Sequence, residues 1–363
     1  MRKPFPLLVA AALLASTAMA RGQEVNVYNW SDYIADNTIA DFTAETGIAV
    51  NYDVFDSNEI VEARLLAGSS GYDIVVPSGF FLERQIPIGL FQPLDKTLLP
   101  NLANLDPAIM AIVAEHDPDN AYGVPYMWGT GGLGYNVDAA IARLGEDSPL
   151  LTSYDMLFDP EVVSLFADCG VSLLDAPVEM MAIALNYLGL DPNSESPEDL
   201  AAGEALFAAI RPYVRTINSS QYISDLANGE ICLAVGYSGD VFIAADRAAE
   251  ANQGVEIAYV IPDEGTSLWF DMMAIPADAP NPDNAHAFIN YILEPQVAAD
   301  ITNYVWYANP NAAADEFVDP EILSDPAIYP TEAVMANLFA IKARSVQYDQ
   351  RLTAAWQRIR AGQ

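Results

Sequence analysis

Residues 24 to 80 alternate between two spacings of apolar positions. Val25-Asn26-Val27-Tyr28-Asn29-Trp30 reads as a strand, and Ile34 to Thr46 as an amphipathic helix ended by Gly47. Ile48 to Phe55 predicts a second strand, Asn58 to Ala67 a helix followed by Gly68, and Tyr72-Asp73-Ile74-Val75-Val76 a buried third strand. The order β-α-β-α-β implies a parallel sheet with crossover helices. Ligands of such sheets lie beyond the C-terminal strand ends, which here are Trp30-Ser31-Asp32 and Pro77-Ser78-Gly79.

A second lobe is expected to begin after Tyr122-Gly123-Val124-Pro125-Tyr126. Its strands are Val171 to Asp175 and Ile231 to Tyr237, and its helices include Val178 to Leu188 and Gly203 to Ile210. Val255 to Ile261 and Trp269 to Ile275 read as strands returning to the first lobe. Asp191 to Pro197 is a polar surface loop.

The N-terminus changes what the length means. Arg2 and Lys3, the apolar run Leu7 to Leu14 and Ala18-Met19-Ala20 read as a secretory signal at residues 1–20, with an apolar run too short to span a bilayer comfortably; a retained anchor is the alternative reading. Its removal takes the formal charge from −35 to −37 and leaves 343 of 363 residues, more than one core comfortably holds. With 15 Lys+Arg against 50 Asp+Glu, nucleic acid and anionic membrane surfaces are poor partners. Cys169 and Cys232 are the only cysteines. In an oxidising compartment one disulfide is the simplest reading, two buried thiols the other.

Most tempting motifs fail on context. Gly129-Thr130-Gly131-Gly132-Leu133-Gly134 matches G-x-G-x-x-G, but Tyr135-Asn136-Val137 continues as extended chain where a dinucleotide site needs a helix. A close-packed crossing between lobes, requiring small residues, suits it better. His116 and His286, the only histidines, read as surface or structural residues, and Asp117-Pro118-Asp119-Asn120 reads as a turn rather than a calcium loop. There is no zinc, P-loop or nucleophile-elbow motif, so neither catalysis nor a cofactor has an obvious carrier.

What remains is a pairing of aromatics with carboxylates at Trp30-Ser31-Asp32-Tyr33, Tyr237-Ser238-Gly239-Asp240 and Trp269-Phe270-Asp271. Aromatic faces attract an organic ammonium ion and its methylenes, while carboxylates accept its charged N–H bonds. Glu179, at the start of a second-lobe helix, and Tyr307 extend the set.

Long stretches around these residues resemble the periplasmic putrescine/spermidine-binding receptors of ABC transporters. They are Val27 to Ile34, Tyr52 to Glu59, Asp73 to Ser78, Phe91 to Lys96, Leu102 to Pro107, His116 to Asn120, Ser219 to Ile223 and Asp225 to Gly229. The likeness runs from about Glu24 to the C-terminus. It implies a two-lobed α/β periplasmic binding protein of the class II type, with a mixed sheet in each lobe, an interlobe cleft and hinge strands. The lobes would be 24–130 plus 256–305 and 131–255 plus 306–363.

The resemblance also implies roles. Ser31, Asp32 and Ser78 are similar to polar contacts for one ammonium end. Trp30, Tyr33, Tyr237, Trp269 and Tyr307 resemble the aromatic walls around the methylene chain, and Glu179, Asp240 and Asp271 the remaining carboxylates. Cys169 and Cys232 match positions of a disulfide. Partners would be a polyamine and an inner-membrane permease, with the receptor itself a monomer and no cofactor. Tyr237, Trp269 and Gly79-Phe80-Phe81 depart from the putrescine pattern, and an indole at 269 is similar to receptors accepting spermidine. Agmatine and cadaverine are alternative ligands. A cationic amino acid would need an Arg in the cleft, and a polyamine-processing enzyme a flavin or metal motif; neither is found.

Overall fold

A computed structural model of the chain describes residues 23–362. The expected signal peptide lies outside the described residues. Among them, no helix is long and apolar enough to cross a membrane.

The N-terminal pattern folds as its spacing predicts. Strands β1 (Glu24–Trp30), β2 (Ala49–Phe55) and β3 (Ile74–Val75) are parallel and ordered β2-β1-β3. The helices between them are α1 (Thr38–Thr46) and α2 (Asn58–Leu66). Gly47 caps α1 at φ 73°, with its N–H donating to the Thr43 carbonyl, a left-handed position that suits glycine. The first helix starts four residues later than expected. Residues 31–37 are held by tertiary contacts: the Tyr33 hydroxyl donates to Asp271 and the Tyr33 carbonyl accepts from the Tyr126 hydroxyl. Apolar clusters cover both faces of this sheet. One joins Val25, Val27 and Ile74 to Phe288 and Ile289, and the other joins Phe55, Val75 and Phe270 to Val61 and Leu65 of α2.

The longest strand, β4 (Gly123–Asn136), belongs to both lobes. From Gly123 to Thr130 it pairs antiparallel with β9 (Ser267–Ala274), itself bonded to β3 and to β10 (Phe339–Ala340). From Gly131 to Tyr135 it pairs with β7 (Leu233–Tyr237) instead. Beyond β7 lie β5 (Val171–Leu173) and β6 (Thr216–Ile217). The glycine-rich run is therefore the crossing. A methyl group on Gly132 would come within 2.5 Å of the Val260 carbonyl oxygen, and one on Gly129 within 2.8 Å of Trp269.

Two expectations about connectivity need correction or detail. Strand β8 (Ile257–Val260) pairs with Leu133–Asn136 of β4, in the second lobe, so only β9 returns to the first-lobe sheet. The cause is the length of β4, whose far half has a free edge for β8. The tail is divided by packing. Ala308, Ala314, Val318, Ile322 and Ile328 share the cluster of Phe55 and Phe270, whereas Ile341, Tyr348, Leu352 and Trp356 join the second-lobe core.

Cys169 and Cys232 form a disulfide with Cα atoms 5.6 Å apart, beside the parallel pair β5 and β7. His116 is buried with Nδ1 2.9 Å from Glu83. His286 is buried with Nε2 accepting from the Asp95 N–H at 2.9 Å. Both are structural. Asp117 anchors its turn by accepting from the N–H groups of Tyr122 and Gly123 at 2.7 and 2.8 Å.

Candidate functional site: a cleft between the lobes

All eleven residues singled out in the sequence line one cleft, together with Phe55, Asp56, Ser219, Ser220 and Ile223. Its lining follows from the topology. Trp30 ends β1, Phe55 ends β2 and Ser78 follows β3, so three parallel strands point their C-terminal ends at it. Trp269 and Asp271 come from β9. From the other lobe come Glu179 in the first turn of the helix Pro177–Tyr187, Tyr237 at the end of β7, and Asp240 in the first turn of the helix Ser238–Ala251. Carboxylates at those two helix starts are favoured by the helix dipole.

Asp271 and Asp240 are held by hydroxyl donors. Ser78 Oγ donates to Asp271 at 2.7 Å and the Tyr33 hydroxyl at 3.0 Å. Ser78 is fixed in turn by Asn58, which accepts from its N–H at 2.9 Å and donates to its Oγ at 3.0 Å. Tyr222 and Tyr307 each donate to Asp240 at 2.7 Å, and the Asp240 N–H donates back to the Tyr307 hydroxyl at 3.0 Å. Tyr307 packs close against Gly239, where a methyl group would meet its ring. Glu179 is different. It is 6% exposed, and among the described residues no other side chain donates to its carboxylate and no basic side chain pairs with it.

The walls are aromatic. Trp269 meets Tyr237 and Tyr307 edge-on, with ring centroids 5.7 and 5.3 Å apart, and Tyr33 meets Tyr307 at 5.2 Å. Trp30 packs on Phe55 at 4.5 Å, and its indole N–H donates to the Val76 carbonyl at 2.8 Å. At the rim, Asp32 takes a left-handed conformation at φ 52° and pairs with Arg247 of the opposite lobe at 2.9 Å.

Burial pushes the three inner carboxyls upward, Asp240 to about 6, Asp271 to about 7 and Glu179 to about 8. Hydroxyl donors hold the first two back: Tyr222 and Tyr307 for Asp240, Ser78 and Tyr33 for Asp271. Glu179 has no such donors and feels the charge of Glu59 as well. The cleft is thus rich in carboxyl acceptors, with no basic side chain among its lining residues. Among the described residues, no group of three or more His, Cys, Asp or Glu is placed to hold a metal ion.

Sequence reasoning missed Asn58, Tyr222 and Arg247, which position or pair the cleft carboxylates, and the lining residues Phe55, Asp56, Ser219, Ser220 and Ile223. All but Arg247 lie in stretches that carry the family resemblance, which was the available signal. Arg247 sits within a helix, where nothing local marks it.

Two α/β lobes joined by a shared strand, with an aromatic and acidic cleft between them, define a solute-binding protein. The chain belongs to the bacterial extracellular solute-binding proteins, whose family profile matches residues 37–331. It is 50% identical to the putrescine-binding periplasmic protein PotF of Escherichia coli (strain K12), over 98% of this chain and 97% of that protein. To the putrescine-binding periplasmic protein SpuD of Pseudomonas aeruginosa (strain UCBPP-PA14) it is 49% identical, with the same coverage. A solved structure from Listeria monocytogenes, assigned to spermidine/putrescine ABC transport, superposes with a TM-score of 0.84. That pair is 34% identical and covers 94% of this chain and 100% of the other.

Proposed function

We propose that this protein is a periplasmic receptor that captures a polyamine between its lobes and delivers it to an ABC transporter permease. The observation that carries this reading is the placement of buried Asp271 and Glu179 and half-buried Asp240 around one aromatic-walled cleft with no basic side chain among its lining residues. Buried carboxylates without counter-ions are costly. A guest bearing ammonium groups on an apolar chain relieves that cost while its methylenes cover the rings. A neutral sugar would leave the charge unmatched.

In this reading Asp271 receives one ammonium group, with Ser78 and Tyr33 fixing the carboxylate. Ser31 and Asp32 close over that end. Asp240 and Glu179 serve the rest of the ligand from the second lobe, and Trp30, Tyr33, Tyr237, Trp269 and Tyr307 pack on its methylenes. Each charge-assisted hydrogen bond contributes about 1.5–3 kcal/mol and each cation–π contact about 0.5–2 kcal/mol in a desolvated site. Likeness to receptors whose names include putrescine supports the same class of ligand.

The test is a thermal-shift panel of putrescine, cadaverine, spermidine, agmatine and spermine on the purified protein. Ligands that bind only the folded state raise its melting temperature. At least one polyamine should do so, with calorimetry returning one site per chain. A flat response across the panel overturns the reading.

A further inference from the structure

Each hydroxyl in the cleft carries one proton, and where that proton points is set by what its oxygen accepts. Ser78 Oγ has two partners among the described residues, Asn58 at 3.0 Å and Asp271 at 2.7 Å. The Ser78 N–H, which can only donate, meets Asn58 Oδ1 at 2.9 Å. That bond fixes the Asn58 amide, so the group facing Oγ is its NH2, another pure donor. Oγ must accept there, and Asp271 is the acceptor left for its proton.

The same arrangement recurs across the cleft. The Tyr222 hydroxyl accepts from the Tyr237 N–H at 3.1 Å and lies 2.7 Å from one oxygen of Asp240. The Tyr307 hydroxyl accepts from the Asp240 N–H at 3.0 Å and lies 2.7 Å from the other oxygen. Of the four hydroxyls that donate to Asp240 and Asp271, only that of Tyr33 lacks such a donor among the described residues. For the two tyrosines the direction is set by backbone. For Ser78 it is set by a single side chain, Asn58, which is buried in the first turn of α2 and does not line the cleft.

We infer that Asn58 is a positioning residue of the binding site, acting through Ser78, whose hydroxyl proton it commits to Asp271. Asp271 then holds one donor on each oxygen, Ser78 on Oδ1 and Tyr33 on Oδ2, and the remaining lone pairs are what an ammonium group meets. Without Asn58 the hydroxyl is free to rotate, and a buried carboxylate oxygen loses its donor whenever the proton turns away. The inference rests on the polyamine reading and adds to it a residue, one step removed from the ligand, that prepares the carboxylate for a cation.

The test is a double-mutant cycle read by calorimetry with putrescine and spermidine, comparing wild type, Asn58→Ala, Ser78→Ala and the pair. Melting without ligand checks each fold, and Asn58→Leu, which keeps the buried volume, replaces the alanine variant where that one does not fold. Asn58→Ala should weaken binding about fivefold in the wild-type background and less than about twofold in the Ser78→Ala background. Residue 78 keeps in both the N–H that Asn58 holds, so a side chain that only braced the backbone would cost the same in each. Equal losses in the two backgrounds, or no loss in either, overturn the inference and leave the polyamine reading standing. Wild-type protein that binds neither amine overturns both.

Discussion

Arg247 reaches Asp32 across the rim of the cleft, its guanidinium 2.9 Å from a carboxylate whose backbone is held in a left-handed turn. The two residues belong to different lobes, and both side chains remain partly open to water. An ion pair in that setting adds only about 0.2–1 kcal/mol. Its place at the rim matters more than its strength.

Arg247→Ala is therefore expected to leave chemical stability within about 1 kcal/mol of wild type. It should speed ligand release up to about fivefold, because the pair forms only when the lobes meet. Stopped-flow displacement of bound putrescine measures this. A release rate indistinguishable from wild type would show that the pair is no part of closure.

Replacing Asp271 by Asn, or Asp240 by Asn, removes the negative charge while keeping a group that Ser78 and Tyr33, or Tyr222 and Tyr307, can still contact. Loss of a charge-assisted bond costs about 1.5–3 kcal/mol. Polyamine affinity should drop by tenfold or more with the circular dichroism spectrum unchanged. Calorimetry giving wild-type affinity for both variants would remove these residues from the site.

Ligand binding should release protons. Asp271 and Glu179, raised by burial to about 7 and about 8, are partly protonated at neutral pH, and a cation favours their ionised forms. Affinity should thus weaken as pH falls from 8 to 5, and the calorimetric heat should vary with the ionisation enthalpy of the buffer. Equal heats in phosphate and Tris at pH 7 would contradict this.

The same carboxyls bear on the empty fold with the opposite sense. A carboxyl that holds its proton more firmly when folded stabilises the fold fully below the unfolded value near ~4, and loses that contribution as pH rises through the folded value. For Asp240, Asp271 and Glu179 the loss falls between about 4 and about 8. Glu179→Gln should flatten the decline in ligand-free stability between pH 5 and pH 8, read from urea midpoints. A decline as steep as in the wild type would argue against it.

Gly132→Ala places a methyl group 2.5 Å from the Val260 carbonyl oxygen, a backbone atom that cannot swing aside. Overpacking of this kind costs about 1–3 kcal/mol. The denaturation midpoint should fall accordingly, whereas alanine at Gly254, with no atom within 4 Å but φ 76°, suffers only backbone strain.

The parts legible in the sequence were those written in local spacing. The alternation in β1 and the glycine after α1 depend on neighbours a few residues away, and the first three strands follow from them. The lobe of β8 was not legible, because its partner, Leu133–Asn136, lies more than a hundred residues earlier and offers an edge only once β4 has crossed over. The site divides in the same way. Trp30 with Asp32, Tyr237 with Asp240 and Trp269 with Asp271 are close in sequence and were found by that closeness. Tyr222 and Asn58 act through a hydroxyl or an amide on residues 18 and 20 positions away, and Arg247 through a partner 215 positions away.

Strand β4 has a further consequence, for the order in which the molecule can be assembled. The first-lobe sheet stays open between β3 and β4 until Ser267–Ala274 has been made and inserted. By then the second lobe's β5, β6 and β7 have also been synthesised. Neither lobe is a continuous length of chain that can finish alone, and the long-range pairing is slow to form. The first-lobe sheet therefore closes only late in synthesis, and a chain interrupted anywhere before β9 has no completed first-lobe sheet.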